Sequence, residues 1–150
     1  KPSSQVLHLS VKTINDKSPK CFSDKIGVPC LFLTRLRFGD GIPIGLQEAI
    51  ILTERCPGLE KYDFNTASLY RILTEEYGLE ISEIYHIVNA VLASRKYAEL
   101  LEINVGAPLL LEKSITYLAD GEPIEATTSY FRVDRHEYSV RFRYRGSKRI

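Results

Sequence analysis

The amino-acid sequence predicts the α+β class: an antiparallel sheet built from two related hairpins, with helices flanking it. Three observations lead there. Apolar runs of strand length are joined by tight turns at Asp40-Gly41 and Asp120-Gly121, a dipeptide that favours hairpins. The segment Asp40-Gly41-Ile42-Pro43-Ile44 recurs as Asp120-Gly121-Glu122-Pro123-Ile124, and upstream of each copy Gly27-Val28-Pro29-Cys30-Leu31 matches Gly106-Ala107-Pro108-Leu109-Leu110. Helical patterning is confined to short stretches between strands. Two copies are too few for a solenoid, which needs about three, but they suit a pseudo-twofold sheet.

Taken in order, residues Val6 to Val11 alternate apolar and polar and read as a half-buried strand. Ser18 and Pro19 open a short helical stretch, Ser as N-cap and Pro at the first helical position, and Gly27 closes it. Cys30 to Phe38 is a strand and Pro43 to Leu52 its hairpin partner. Asn65 or Thr66 caps a helix through Tyr77, with Leu69, Ile72, Leu73 and Tyr77 on one face and Gly78 as the stop. Glu80 to Ala93 is a long strand. Ser94 caps a second helix to about Glu102. Two strands follow around Asp120-Gly121, and a last strand is expected from Tyr138 to Tyr144.

A chain of 150 residues suits one domain with one moderate core. The formal net charge of +1 implies no bulk attraction to nucleic acid or membrane, and no apolar run reaches bilayer length. Cys21, Cys30 and Cys56 are odd in number and form no Cys-x-x-Cys pair. They read as small buried hydrophobes in a reducing cytoplasm, not as a disulfide framework or a zinc site. The chain contains no Met and opens on Lys1, so it reads as a segment of a longer protein with a part preceding it.

Arg35 and Arg37 stand two apart on a strand, so both guanidiniums project from one face. Leu31 and Leu33 share that parity, making a stripe apolar at one end and dicationic at the other. Two readings are open. The arginines pair with internal acids such as Glu48 or Glu125, or they wait for an anion, which the guanidinium fork grips bidentately. Ser68 and Tyr70 fall near a helix start, where free N–H groups favour an anion, although Ser68 can equally be a plain cap. Glu125, Tyr130 and Phe131 lie on the second return strand, where Glu and Tyr suit the hydroxyls of a polar ligand. Arg141, Arg143 and Arg145 alternate on one face and read as solvated. There is no Gly-x-Gly-x-x-Gly, phosphate-binding loop or nucleophile elbow. His8, His86 and His136 lack metal-ligand spacing, and Glu75-Glu76 diverge on a helix. Nothing points to a catalytic couple, a metal or a cofactor.

The order and spacing of several segments resemble the UTRA domain, the effector-binding domain of HutC-type regulators in the GntR family. They are Lys1-Pro2-Ser3-Ser4-Gln5-Val6, Arg35-Leu36-Arg37, Ala67-Ser68-Leu69-Tyr70 with Tyr77-Gly78, Val105-Gly106-Ala107-Pro108-Leu109-Leu110, and Gly121 to Glu125 leading to Tyr130-Phe131-Arg132-Val133-Asp134-Arg135. The resemblance implies a chorismate lyase-like fold over residues 1–150, a homodimer, and a winged-helix DNA-binding domain preceding Lys1. It implies a small-molecule effector, such as a sugar phosphate, held by Arg35, Arg37 and Ser68, with Tyr70 and Ser3 or Ser4 nearby and with Glu125 and Tyr130 or Phe131 addressing the rest. Departures are a shortened segment before Arg35, and Phe131-Arg132-Val133 where many members have Tyr-Arg-Gly. Since fold alone does not fix function, a lyase-like enzyme and a dimerisation module with a degenerate pocket stand as alternatives.

Overall fold

The structure, a computed structural model, describes residues 2–146. Six strands form one antiparallel sheet in the order β1-β2-β3-β6-β5-β4: β1 (Pro2–Thr13), β2 (Pro29–Gly39), β3 (Ile42–Leu52), β4 (Ile81–Leu92), β5 (Pro108–Leu118) and β6 (Pro123–Arg132). The repeat seen in the sequence is larger than a hairpin. Each half is a three-stranded meander, and the two halves meet where β3 pairs with β6.

The repeated dipeptides and prolines explain this. Asp40 and Gly41 both take positive φ, 52° and 78°, which closes a two-residue primed turn between Gly39 and Ile42. Gly121 also sits at positive φ, in a longer loop. After each turn the sheet register slips by one residue, leaving Ile44 unpaired on β3 and Ile124 unpaired on β6. These bulges fall at equivalent places in the repeat. At the far end of each meander a backbone clasp recurs. Ile14 N–H donates to the Val28 carbonyl and Gly27 N–H to that of Ile14; Ala93 N–H donates to the Ala107 carbonyl and Gly106 N–H to that of Ala93.

The sheet separates two apolar clusters. On one face Leu31, Leu33, Ile51, Leu118 and Ile124 pack against Phe22, Leu59, Phe64, Leu69, Leu73 and Cys56. On the other, Leu36, Leu46 and Leu109 pack against Ala98 and Leu101 of α2 (Arg95–Leu101). Burying a side chain of this size contributes about 1.5–3 kcal/mol. Ser94 caps α2 as expected, its Oγ accepting the Tyr97 N–H at 3.3 Å.

Three expectations are corrected. The helix after Asn65 is capped by Ser68, neither by Asn65 nor by Thr66, and begins as one turn, α1 (Leu69–Arg71), that widens into a π-turn over Ile72–Glu76. Asn65 is occupied elsewhere: its Oδ1 accepts the Val6 N–H at 2.7 Å. The stretch after Ser18 is a single 3₁₀ turn at Lys20–Phe22 capped by Pro19, because the Ser18 hydroxyl is taken by the Asn15 N–H. No strand runs from Tyr138 to Tyr144. Those residues are exposed and find no pairing partner among the described residues.

Candidate functional site

The face that holds the larger apolar cluster stays open over the Arg35 end of the sheet. A cavity of about 610 Å³ lies there. Strand parity decides what lines it: Arg35 and Arg37 from β2, Gln47 from β3, Glu125, Thr127, Ser129 and Phe131 from β6, and Glu112 and Ser114 from β5. β1 contributes Ser3 and Ser4, and the loop into α1 contributes Thr66, Ala67, Ser68 and Tyr70.

Among the described residues neither arginine makes an ion pair. The Arg37 Nη1 donates to the Gln47 Oε1 at 2.9 Å, and the Gln47 amide donates onward to the Ser129 Oγ at 3.3 Å. The Arg37 Nε is buried without a hydrogen-bond partner. Among the described residues Arg35 makes no hydrogen bond or ion pair. Burial, reinforced by the charge of Arg37 and opposed by that of Glu125, pulls its guanidinium below its ordinary value. Leaving a buried donor such as the Arg37 Nε unsatisfied is costly; among the described residues neither arginine makes an ion pair with Glu48 or Glu125, although Arg35 feels the Glu125 charge.

Beyond the arginines lies a hydroxyl relay. The Tyr70 hydroxyl is 3.0 Å from the Thr116 Oγ1, which donates to the Glu125 Oε1 at 3.1 Å. Glu125 is 3 % exposed. Burial raises its carboxyl above the ordinary range, while hydrogen bonds with Tyr70, Thr127 and Thr116 and the charge of Arg35 pull the other way. The Tyr70 phenol is pushed up to about 12, first by burial and then by Glu125. One wall of the cavity is thus cationic, and beside it sit an acid and several hydroxyls.

Of the residues singled out from the sequence, Ser3, Ser4, Arg35, Arg37, Ser68, Tyr70, Glu125 and Phe131 come together around this cavity. Glu48 and Tyr130 do not. Their positions on β3 and β6 point to the opposite face, where Tyr130 packs on Tyr97 of α2 with ring centroids 4.4 Å apart and Glu48 lies near the same phenol. Phe131, the neighbour of Tyr130, faces the cavity instead and stacks on His136 at 3.8 Å. Gly45 makes room for it, because a Cβ there would lie 2.4 Å from the Phe131 Cδ1. Gln47, Ser129, Glu112 and His86 were not anticipated. Glu112 is held from two sides, by the His136 Nε2 at 2.9 Å and the His86 Nε2 at 3.5 Å. A polar stripe at alternate positions of β6 (Glu125, Thr127, Ser129) was the signal that could have found Ser129.

An antiparallel sheet with a polar cleft on one face is an architecture that can hold a small polar ligand. The comparisons agree: the UTRA domain model matches residues 1–137, and the chain belongs to that family. It is similar to the HTH-type transcriptional repressor PhnF of Mycolicibacterium smegmatis, at 28 % identity over 115 residues, covering 77 % of this chain and 47 % of that protein. The crystal structure of the effector domain of PhnF from Mycobacterium smegmatis superposes with a TM-score of 0.87 at 24 % identity, covering 96 % of this chain and 88 % of that one. A GntR-family transcriptional regulator from Enterococcus faecalis superposes with a TM-score of 0.84 at 26 % identity, covering 93 % and 100 %. The chain spans about half the length of the curated relatives it matches. No helix among the described residues is long and apolar enough to cross a membrane.

Proposed function

We propose that this chain is the effector-sensing domain of a cytoplasmic GntR/HutC-type transcription regulator and that its effector is a small anionic metabolite, with sugar phosphates the leading class. The observation that carries the reading is the pair Arg35 and Arg37: two cations in a cavity, one with a buried unsatisfied Nε and neither in an ion pair among the described residues. A phosphate supplies the charge and the acceptors they lack. Ser4 and the Ser68 and Tyr70 hydroxyls flank the anion, and Glu125 with Thr116 addresses the uncharged remainder. Binding shifts the balance between arrangements of a homodimer, and the DNA is contacted by a domain outside this chain. The chain itself performs no catalysis in this reading, and the regulatory roles named for its relatives weigh against a lyase-like enzyme.

A thermal-shift screen tests it, with sugar phosphates, free sugars, amino-acid catabolites and aromatic carboxylates as probes. A ligand at a hundred times its dissociation constant stabilises the domain by about 2.7 kcal/mol. A selective shift with one phosphorylated class, lost in Arg35→Met, is the expected result. A panel that moves nothing overturns the reading in favour of a dimerisation module without a working pocket.

A further inference from the structure

The register of the sheet lays four polar side chains in one row across the cavity floor. Arg35 of β2 pairs with Gln47 of β3, Gln47 with Ser129 of β6, and Ser129 with Glu112 of β5. All four line the cavity. From one end to the other the order is cation, amide, hydroxyl, carboxylate. Neighbouring strands lie about 4.8 Å apart, so three steps separate the two charged ends by roughly 14 Å at the backbone. Among the described residues no ion pair joins Arg35 to Glu112. An anion gripped by Arg35 and Arg37 occupies one end of this row and leaves the Glu112 end to the rest of the molecule.

The Glu112 end is as firmly held as the arginine end. The Glu112 side chain is 11 % exposed, and two imidazoles face its carboxylate. His136 Nε2 donates to Oε2 at 2.9 Å, and His86 Nε2 stands 3.5 Å from Oε1. Each ring is fixed in turn by stacking, His136 on Phe131 at 3.8 Å and His86 on Tyr138 at 5.3 Å. His86 also lines the cavity, beside its cross-strand partner Ser114. A carboxylate offers about four acceptor positions. The imidazoles take up two of them, which leaves Glu112 able to accept from a molecule in the cavity. A half-buried acid fixed on a cavity floor, away from the cations that share the floor, is suited to donors brought by a ligand.

We propose that Glu112 is the second anchor of this site: it accepts hydrogen bonds from hydroxyl or ammonium groups at the end of the effector remote from its anion, and His86 and His136 position the carboxylate for it. Resting on the anionic effector proposed above, this assignment adds what the opposite end of that molecule carries. It also says what the cavity refuses. A second phosphate or carboxylate at the remote end faces the Glu112 carboxylate, and like charges at close range repel. The site therefore prefers a hydroxylated or aminated monophosphate to a bisphosphate of the same skeleton, and Glu112 is the residue that sets the preference.

Glu112→Gln is the test, because the amide keeps the length of the side chain and an oxygen for the His136 hydrogen bond. Inorganic phosphate, a panel of hexose and pentose monophosphates, and the matching bisphosphates are titrated calorimetrically into the 150-residue chain. Inorganic phosphate needs only the arginine end and should bind the native chain and the variant alike. The tightest monophosphate should lose roughly tenfold or more in affinity in Glu112→Gln, and its bisphosphate should gain. His136→Ala should reproduce the loss without the gain, since the carboxylate charge stays. A native chain that binds no phosphate compound, or binds them equally well as Arg35→Met, overturns the anionic effector and this anchor with it. Phosphate binding that depends on Arg35, with the monophosphate unaffected by Glu112→Gln, overturns the anchor alone. So does a variant that melts lower without ligand and loses inorganic phosphate and monophosphate to the same degree, because Glu112 would then only hold the fold. A His136→Ala chain that binds every probe as the native one does overturns the positioning role.

Discussion

Arg35→Met separates a residue kept for a ligand from one kept for the fold. Methionine retains an unbranched apolar stem on β2 while the guanidinium is lost. In the free domain that guanidinium is half-buried beside Arg37 and, among the described residues, makes no hydrogen bond or ion pair, and the folded state holds its charge less comfortably than water does. Removing it should therefore leave the melting temperature of the unliganded domain unchanged or raise it. Anion binding should move the opposite way. A charge-assisted hydrogen bond contributes about 1.5–3 kcal/mol, so the loss amounts to roughly ten- to a hundredfold or somewhat more in Kd. Calorimetric titration with the best sugar phosphate, alongside thermal unfolding without ligand, reads both quantities. A variant that binds as the native domain does would remove Arg35 from the site. A variant that unfolds would show that the arginine holds the sheet together, and the argument from its missing partners would be wrong.

Glu125→Gln should flatten the pH dependence of stability. Because the carboxyl is raised in the folded state, the native domain holds more protons than the unfolded chain from the ordinary carboxyl range up to the raised value. Stability falls as pH rises through that window and stays lower above it. The variant lacks this loss, so its melting temperature should exceed the native one above the window; parallel pH profiles would refute the argument. Gly45→Ala places a methyl group inside the van der Waals envelope of Phe131. Such overpacking typically costs about 1–3 kcal/mol, visible in chemical denaturation, and should also perturb the cavity; an unchanged midpoint would mean that the ring moves freely. The Cys56 thiol is buried, bonded to the Leu52 carbonyl at 3.2 Å, and pushed up to about 11 by burial. Mass spectrometry after thiol labelling at mildly alkaline pH should find it protected in the native domain and reactive after unfolding, whereas equal labelling in both states would contradict the packing.

Much of the fold was legible because it is written in local chemistry. Asp-Gly turns, Gly-x-Pro entries and a recurring five-residue segment placed four of the six strands and the relation between the halves. The cavity was legible where one strand sufficed, since Arg35 and Arg37 share a face on parity alone. It was less legible where two strands had to be set in register. Gly45 sits opposite Phe131 and Gln47 opposite Ser129; that pairing turns Gln47 inward and Glu48 outward, and Phe131 inward and Tyr130 outward. Neither Glu48 nor Tyr130 looks wrong in isolation. Capping failed for a similar reason: Asn65 is a good cap by type, but a backbone N–H some sixty positions away claims its side chain. The alternation from Tyr138 to Tyr144 is a genuine strand pattern, yet a pattern alone does not make a strand, and that segment pairs with none of the six strands.

The duplicated scaffold has a consequence for how any ligand would be seated. The pairings that set Arg35 against Gln47 and Arg37 against Gly45 in one half set Ser114 against Thr127 and Thr116 against Glu125 in the other. Backbone geometry is shared between the halves, but chemistry is not: one side presents cations where the other presents hydroxyls and an acid. The cleft is therefore a polarised socket spanning the seam between two near-copies. A molecule with a charged head and a hydroxylated body meets it in one direction only, and its two ends report on two different halves of the sheet.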